Sequence, residues 1–141
     1  MGAACDKLNR AIWGTPLFAW QRHVADVALE TVPRAAGGVA MKYQVVVVVV
    51  PRRAGKTRLT QAASLFRASA PGSFVWFTAQ DGKTAAEKFR LEMVPTLKAS
   101  QLAPLFKTRT SAGSERVTIQ GGGVFKLFAP VPDQLHGFDG D

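Results

Sequence analysis

A chain of 141 residues has room for one ordinary domain, and its 47% hydrophobic content is that of a folded core, not of a disordered tract. A single cysteine excludes an internal disulfide and any Cys-based zinc cluster; valines 45–50 are far too few to cross a bilayer, and with no charged-then-apolar leader secretion is not expected. The net charge of +8, from 18 Lys+Arg against 10 Asp+Glu, leaves phosphate-bearing partners and mere solubility both open.

Residues 1–14 read as an N-terminal extension. Residues 15–30 read as a helix, with Pro16 in its first turn and Leu17, Trp20, Val24, Val27 and Ala28 on one face. A Pro/Gly-rich break covers 32–39. Valines 45–50, β-branched and without alternation, predict a strand buried on both faces, as in a parallel sheet covered by helices. A helix follows, with Leu59, Ala62, Ala63, Phe66 and Ala70 on its stripe and Arg58, Gln61 and Arg67 off it. Residues 74–78 form a second apolar strand. Asp81 is the expected N-cap of a third helix, buried through Ala85, Ala86, Phe89 and Met93 and ending near Pro95. Residues 116–120 and 124–129 flank Gly121-Gly122-Gly123 as a β-hairpin or bent ribbon, before a polar, turn-rich tail. The order strand, loop, helix, strand, helix is an α/β pattern.

Four cations, Arg52, Arg53, Lys56 and Arg58, crowd the turn between the valines and the next helix. Ala54-Gly55-Lys56-Thr57 between a strand and a helix is the setting of a phosphate-binding loop, because helix-start N–H groups and the helix dipole attract an anion. Gly55 would allow close approach of the backbone, Lys56 would reach the β/γ-phosphates, and the Thr57 hydroxyl would ligand Mg²⁺. The full motif asks for glycine five residues before Gly55, where this chain has Val50. The alternative is a basic turn whose Lys56 and Arg58 are only solvated.

The segment Val50-Pro51-Arg52-Arg53-Ala54-Gly55-Lys56-Thr57 resembles the variant Walker A of the large terminase subunit of tailed bacteriophages, the ATP-driven motor that packages DNA into proheads. That family commonly replaces the first glycine and carries an arginine four residues before the lysine, here Arg52. By this resemblance Arg52 would sense or stabilise the γ-phosphate, for which a planar guanidinium is suited, and Arg53 would face solvent or DNA. Thr15-Pro16-Leu17-Phe18-Ala19-Trp20-Gln21-Arg22 is similar to the family's upstream Trp-Gln element, implying that Gln21 reads the adenine edge; the alternative is an exposed helix residue, and Trp20 reads as a packing residue. Phe77-Thr78-Ala79-Gln80 resembles the segment at the same strand end, or is an ordinary strand end. Residues 127–141, with Leu135-His136-Gly137, resemble the stretch before the family's Walker B strand; His136 reads as structural.

The resemblance implies a P-loop NTPase-type parallel sheet flanked by helices, incomplete, with 15–141 as a partial ATPase domain. It implies catalytic Arg52 and Lys56; ATP contacts from Gln21, Arg52, Ala54, Gly55, Lys56, Thr57 and Arg58; and Mg²⁺ on Thr57. It also implies double-stranded DNA, a small terminase subunit, a portal or prohead and further copies of the chain as partners, no membrane, and the bacterial host cytoplasm as the location. None of the ten acids closes an apolar run with glutamate after it; Asp133, among prolines and followed by Gln134, comes nearest. The Walker B half and the nuclease domain are therefore expected beyond Asp141, and little ATP turnover is expected of the chain itself. Open alternatives are another P-loop NTPase of helicase type, an inactive prophage remnant, and a basic nucleic-acid-binding protein. The last is disfavoured because the aromatics, Trp13, Trp20, Trp76 and the Phe residues, read as falling mostly on apolar faces, not among Lys and Arg.

Overall fold

The computed structural model describes residues 1–78 and 81–127, and the chain divides into two compact units, Met1–Arg67 and Ala68–Asp141. The first unit opens with α1, Gly2–Trp13, packed on α2, Ala19–Ala28. The buried face of α1 is partly polar. Asp6 accepts the Leu17 N–H at 2.7 Å and pairs with Arg10 at 3.0 Å, and Asn9 Nδ2 donates to the Thr15 carbonyl at 2.6 Å. At the other end Asp26 of α2 accepts the Gly2 N–H at 2.6 Å, placing a carboxylate where the dipole of α1 is positive.

These bonds correct the expected helix over 15–30. The Thr15 carbonyl and the Leu17 N–H are taken by α1, and the Phe18 N–H is taken by Gln21 Oε1 at 2.8 Å, so α2 starts only at Ala19 and Pro16 lies before it. Cys5, Leu17, Ala25, Leu29, Leu59 and Ala62 form the core of this unit, with Trp20 packed against it. Burial pushes the Cys5 thiol up to about 11, with Asp6 and Asp26 adding to the rise.

The Pro/Gly-rich break is a short hairpin of β1, Thr31–Pro33, and β2, Val39–Met41. Valines 45–50 then depart from expectation: they form no ladder with any described residue, and Val45, Val47 and Val49 are 78%, 78% and 89% exposed. β-branching favours extended backbone but cannot supply the neighbouring strand that a ladder needs. Val46 and Val48 line a cleft of about 240 Å³ together with Val24, Ala28, Leu59 and Ala63. The next helix, α3, spans Lys56–Ala68. It buries Leu59, Ala62 and Leu65, and also Gln61, which the stripe left outside, whereas Ala70 lies beyond the helix and is exposed.

The second unit is built on a four-stranded sheet in the order β3-β6-β5-β4, comprising β3 Phe74–Phe77, β4 Phe106–Arg109, β5 Arg116–Ile119 and β6 Val124–Leu127. Only β3 and β6 run parallel, so the sheet is mixed, not all-parallel as expected. The reason is local: β5 and β6 are joined by the glycine turn, and so short a link forces antiparallel pairing. Gly123 is needed there, because its N–H bonds the Ala68 carbonyl at 2.7 Å and a Cβ would collide with the Ser73 carbonyl.

Asp81 caps α4, Gly82–Lys88, accepting the Thr84 N–H at 2.7 Å; Ala85, Phe89 and Met93 are buried as expected, whereas Ala86 is only half-buried. Pro95 does not end the helix. A π-helical turn, Phe89–Met93, carries the chain into α5, Val94–Ala99, with the Val94 N–H bonded to the Phe89 carbonyl. Widening the turn before Pro95 accommodates a residue that lacks an N–H and crowds the preceding turn. α5 packs against β4 through a 3₁₀ turn, Ala103–Leu105. Buried Glu115 pairs with Arg90. The protein is thus α/β, a mixed sheet flanked by helices. Among the described residues no helix is long and apolar enough to cross a membrane. Ala79, Gln80 and residues 128–141, including Asp133 and His136, lie outside the described residues.

The Asp6 contacts define a stability test. Burial alone would raise the Asp6 carboxyl, but the Leu17 N–H and the Arg10 guanidinium outweigh it and hold it below the usual carboxylate range. Asp6→Ala leaves the Leu17 N–H buried and unpaired, an expected loss of about 1–3 kcal/mol in urea unfolding at pH 7. A lowered folded value stabilises above the ordinary Asp value near 3.9 and is lost as pH falls through the folded value, so wild type and Asp6→Asn should converge in stability in acid.

Candidate functional site

The segment from Val50 to Lys56 closes on itself. Lys56 Nζ donates to the Val50 carbonyl at 2.8 Å and approaches the Pro51 carbonyl at 3.4 Å. Between these ends the backbone alternates: Arg53 has φ +62° and Gly55 φ +92°, whereas Arg52 and Ala54 keep negative φ. Where residues alternate between right- and left-handed backbone, successive N–H groups turn toward one side and make an anion-binding concavity; here it is the sign of φ that alternates. A non-glycine residue at positive φ costs of order 1 kcal/mol or more, so Arg53 is held there by the closed loop around it. Helix α3 follows at once, its first N–H groups lacking intrahelical partners.

Gly55 is required for two reasons. Its φ lies in the left-handed region, and a Cβ there would come 2.7 Å from Gln21 Nε2. That nitrogen donates to the Gly55 carbonyl at 2.9 Å, which also accepts the Leu59 N–H at 3.2 Å. Gln21 is only 2% exposed and its Oε1 accepts the Phe18 N–H, so the carboxamide joins the start of α2 to the loop. Gln21 is therefore not the exposed helix residue of the alternative reading.

The other expected site residues divide into two groups. Arg52, Arg53, Lys56 and Thr57 are exposed around the loop, and neither Arg52 nor Thr57 has a side-chain hydrogen bond or ion pair among the described residues. Ala54 and Gly55 are half-buried within it. Arg58 points elsewhere: its guanidinium lies 4.8 Å from the centre of the Trp13 ring and donates to Thr15 Oγ1 at 3.3 Å. Burial lowers its affinity for the proton without threatening its charge, since an arginine stays protonated well above neutrality. Trp13 and Thr15 take Arg58 away from the loop by cation–π attraction and hydrogen bonding.

The electrostatics are one-sided. From Glu30 to Asp81 the sequence has no acidic residue, so Arg52, Arg53 and Lys56 face no neighbouring carboxylate in sequence. Among the described residues no group of three His, Cys, Asp or Glu could hold a metal ion. Thr57 is the remaining hydroxyl at the helix start, and a magnesium ion there would take its other oxygens from phosphate and water.

Sequence reasoning passed over Phe18. It is 64% exposed, and its Cε2 lies 3.8 Å from the point a Cβ would occupy on Gly55. Its position three residues before Gln21, inside the same motif-like stretch, was the available signal.

Gly55→Ala should lose stability by about 1–3 kcal/mol in thermal unfolding, from left-handed strain and displacement of Gln21. If Gln21→Ala in addition removes most of that loss, the clash with the carboxamide is its main source; a double-mutant cycle measures this. The chain matches no known family model, no curated protein and no solved structure.

Proposed function

We propose that the loop over residues 50–57 binds the phosphates of ATP with Mg²⁺, and that the chain is the nucleotide-binding part of a DNA-translocating motor of the large terminase kind. The observation that supports nucleotide binding best is the backbone of the loop, with φ alternating in sign from Arg52 to Gly55 directly before the N-terminus of α3. A closed, acid-free turn that ends in Lys56 is suited to a polyanion. The motor reading rests on the resemblance of the loop's residues to the terminase Walker A, with Arg52 in the family's arginine position.

In this reading the chain's own residues divide the work. The N–H groups of 53–57 cradle the phosphates, and Lys56 exchanges its loop carbonyls for phosphate oxygens, a swap that trades neutral acceptors for charged ones. Arg52, exposed and without a side-chain hydrogen bond or ion pair among the described residues, presents its guanidinium to the terminal phosphate. Thr57 offers its hydroxyl to Mg²⁺. Gln21 already uses one N–H on Gly55 and its oxygen on Phe18; one Nε2 hydrogen is left for the base, so a contact with adenine would be made by a side chain that also holds the loop. Phe18 lies alongside and offers a ring face. Duplex DNA, portal and further copies of the chain are the partners this reading implies for the intact motor, working in the host cytoplasm.

Titration of the full chain with ATP and Mg²⁺, read by calorimetry, tests the loop. Removing one charge-assisted contact is worth about 1.5–3 kcal/mol, so Lys56→Ala is expected to weaken binding roughly 10- to 100-fold, with a smaller loss for Arg52→Ala. Equal affinity in wild type and both variants would overturn the assignment. Steady-state hydrolysis is expected to stay near background, because none of the chain's ten acids closes an apolar run with glutamate after it. Turnover abolished by Lys56→Ala would show that a carboxylate reaches it.

A further inference from the structure

Residues 13–21 touch the start of α3 twice, at the positions that flank Lys56 and Thr57. The first contact is the bond from Gln21 Nε2 to the Gly55 carbonyl, at 2.9 Å. The second is made by Arg58, whose guanidinium lies 4.8 Å from the Trp13 ring centre and 3.3 Å from Thr15 Oγ1. Gly55 stands in the cap position of α3, since its carbonyl accepts the Leu59 N–H at 3.2 Å, and Arg58 follows three residues later. Residues three apart share one side of a helix. Lys56 and Thr57, about 100° and about 200° round from Gly55, are left to the other sides. Both ties therefore hold the helix start from the side that Lys56 and Thr57 do not use.

The anchor that Arg58 reaches is itself fixed. Helix α1 ends in a left-handed residue, Gly14 at φ +73°, whose N–H bonds the Arg10 carbonyl. Beyond it the chain is bonded back onto α1: the Thr15 carbonyl accepts Asn9 Nδ2 at 2.6 Å, and the Leu17 N–H donates to Asp6 Oδ1 at 2.7 Å. Asp6 and Asn9 are buried, so neither bond is readily exchanged for one to water. Trp13 is half-buried and packs against the core cluster that contains Leu59, the neighbour of Arg58 in sequence. The ring and the hydroxyl thus hold a set position. A cation so close to Lys56 in sequence would add most to the binding of an anion if it were free to turn to the loop. Cation–π attraction and a hydrogen bond hold it to the end of α1 instead.

We propose that Arg58 is a positioning residue for the nucleotide loop: its hold on Trp13 and Thr15, with the Gln21–Gly55 bond, fixes the first turn of α3 so that Lys56 and Thr57 meet the phosphates already in place. On the nucleotide reading, on which this role rests, α1 is part of the site and not an extension to it. A tie at Gly55 alone leaves the helix start free to swing about that point. A second tie, nearly one turn later, removes that freedom before any ligand arrives. The ordering cost that binding would otherwise carry is then met during folding, which tightens binding without a further contact to the ligand. Arg58 acts through Trp13 and Thr15, and not by the direct ATP contact that the resemblance implies for it.

Calorimetric titration of the full chain with ATP and Mg²⁺, in wild type and in variants whose folding circular dichroism confirms, tests this role. Trp13→Leu is expected to weaken binding about three- to ten-fold although Trp13 touches no ligand, and Arg58→Ala by a similar factor. The double variant should bind no more weakly than the weaker single one, because both remove the same contact. Arg58→Lys and Trp13→Phe, which keep a cation over a ring, should stay within about two-fold of wild type. Leu29→Ala, which opens a cavity in the core of the same unit, should leave the affinity unchanged. If Trp13→Leu does not fold, Thr15→Val, at an exposed position, takes its place with a smaller loss in the same direction. Three results would overturn the role and leave nucleotide binding standing. One is wild-type affinity in Arg58→Ala. Another is a loss in Arg58→Ala with wild-type affinity in Trp13→Leu, the pattern of a guanidinium acting directly on phosphate. The third is an equal loss in Leu29→Ala, which is general loosening. Absence of ATP binding by wild type would overturn the nucleotide reading, and this role with it.

Discussion

The carboxamide of Gln21 is the constraint on which the first unit's geometry turns. It is buried, so each of its polar atoms must find a partner within the protein or cost about 1–3 kcal/mol. The partners are the Phe18 N–H, which opens α2, and the Gly55 carbonyl, which precedes α3. One side chain thereby ties the place where α2 starts to the shape of a loop more than thirty residues later in the sequence. The same bond leaves no space for a Cβ at position 55 and so demands glycine there, independently of any need for a phosphate to approach.

What was legible in the sequence was local. The Asp81 cap and the hairpin around Gly121-Gly122-Gly123 follow from capping and turn chemistry within a dozen residues, whereas periodicity caught the helix faces only in part: α2 buries Gln21 and Ala25 and α3 buries Gln61, all outside the expected stripes. Helix α1 was not legible because its buried face carries Asp6 and Asn9, whose partners are backbone groups of residues 15–17 and not an apolar neighbour. The passage of the helix through Pro95 depends on a π-helical turn that no composition signal marks. Valines 45–50 show the opposite failure. Strong β-propensity predicted a strand, but a strand is a relation between segments, and no described segment pairs with this one.

The site divides along the same line. Gly55, Lys56 and Thr57 could be picked out from their order before a helix, and Arg52 from its spacing to Lys56. The alternating backbone could not, since nothing in Arg53 announces a left-handed conformation. Arg58 belongs to the same basic cluster in sequence, yet in space it is an α1 contact, because the Trp13 ring and the Thr15 hydroxyl offer it more than solvent does. Counting cations along a sequence overestimates the charge at a loop by those that fold back onto their own unit.

A second basic surface was illegible for a related reason. Lys107, Arg109, Arg116 and Lys126 are scattered over twenty residues. Only strand register puts three of them in one line with Trp76 at its end. Of the chain's 18 Lys+Arg, three stand at the turn over residues 50–57 and four on one face of the sheet. Repulsion within each cluster is a cost to the folded chain that solubility alone would not require, since the same charges dispersed would keep the protein soluble with less self-repulsion.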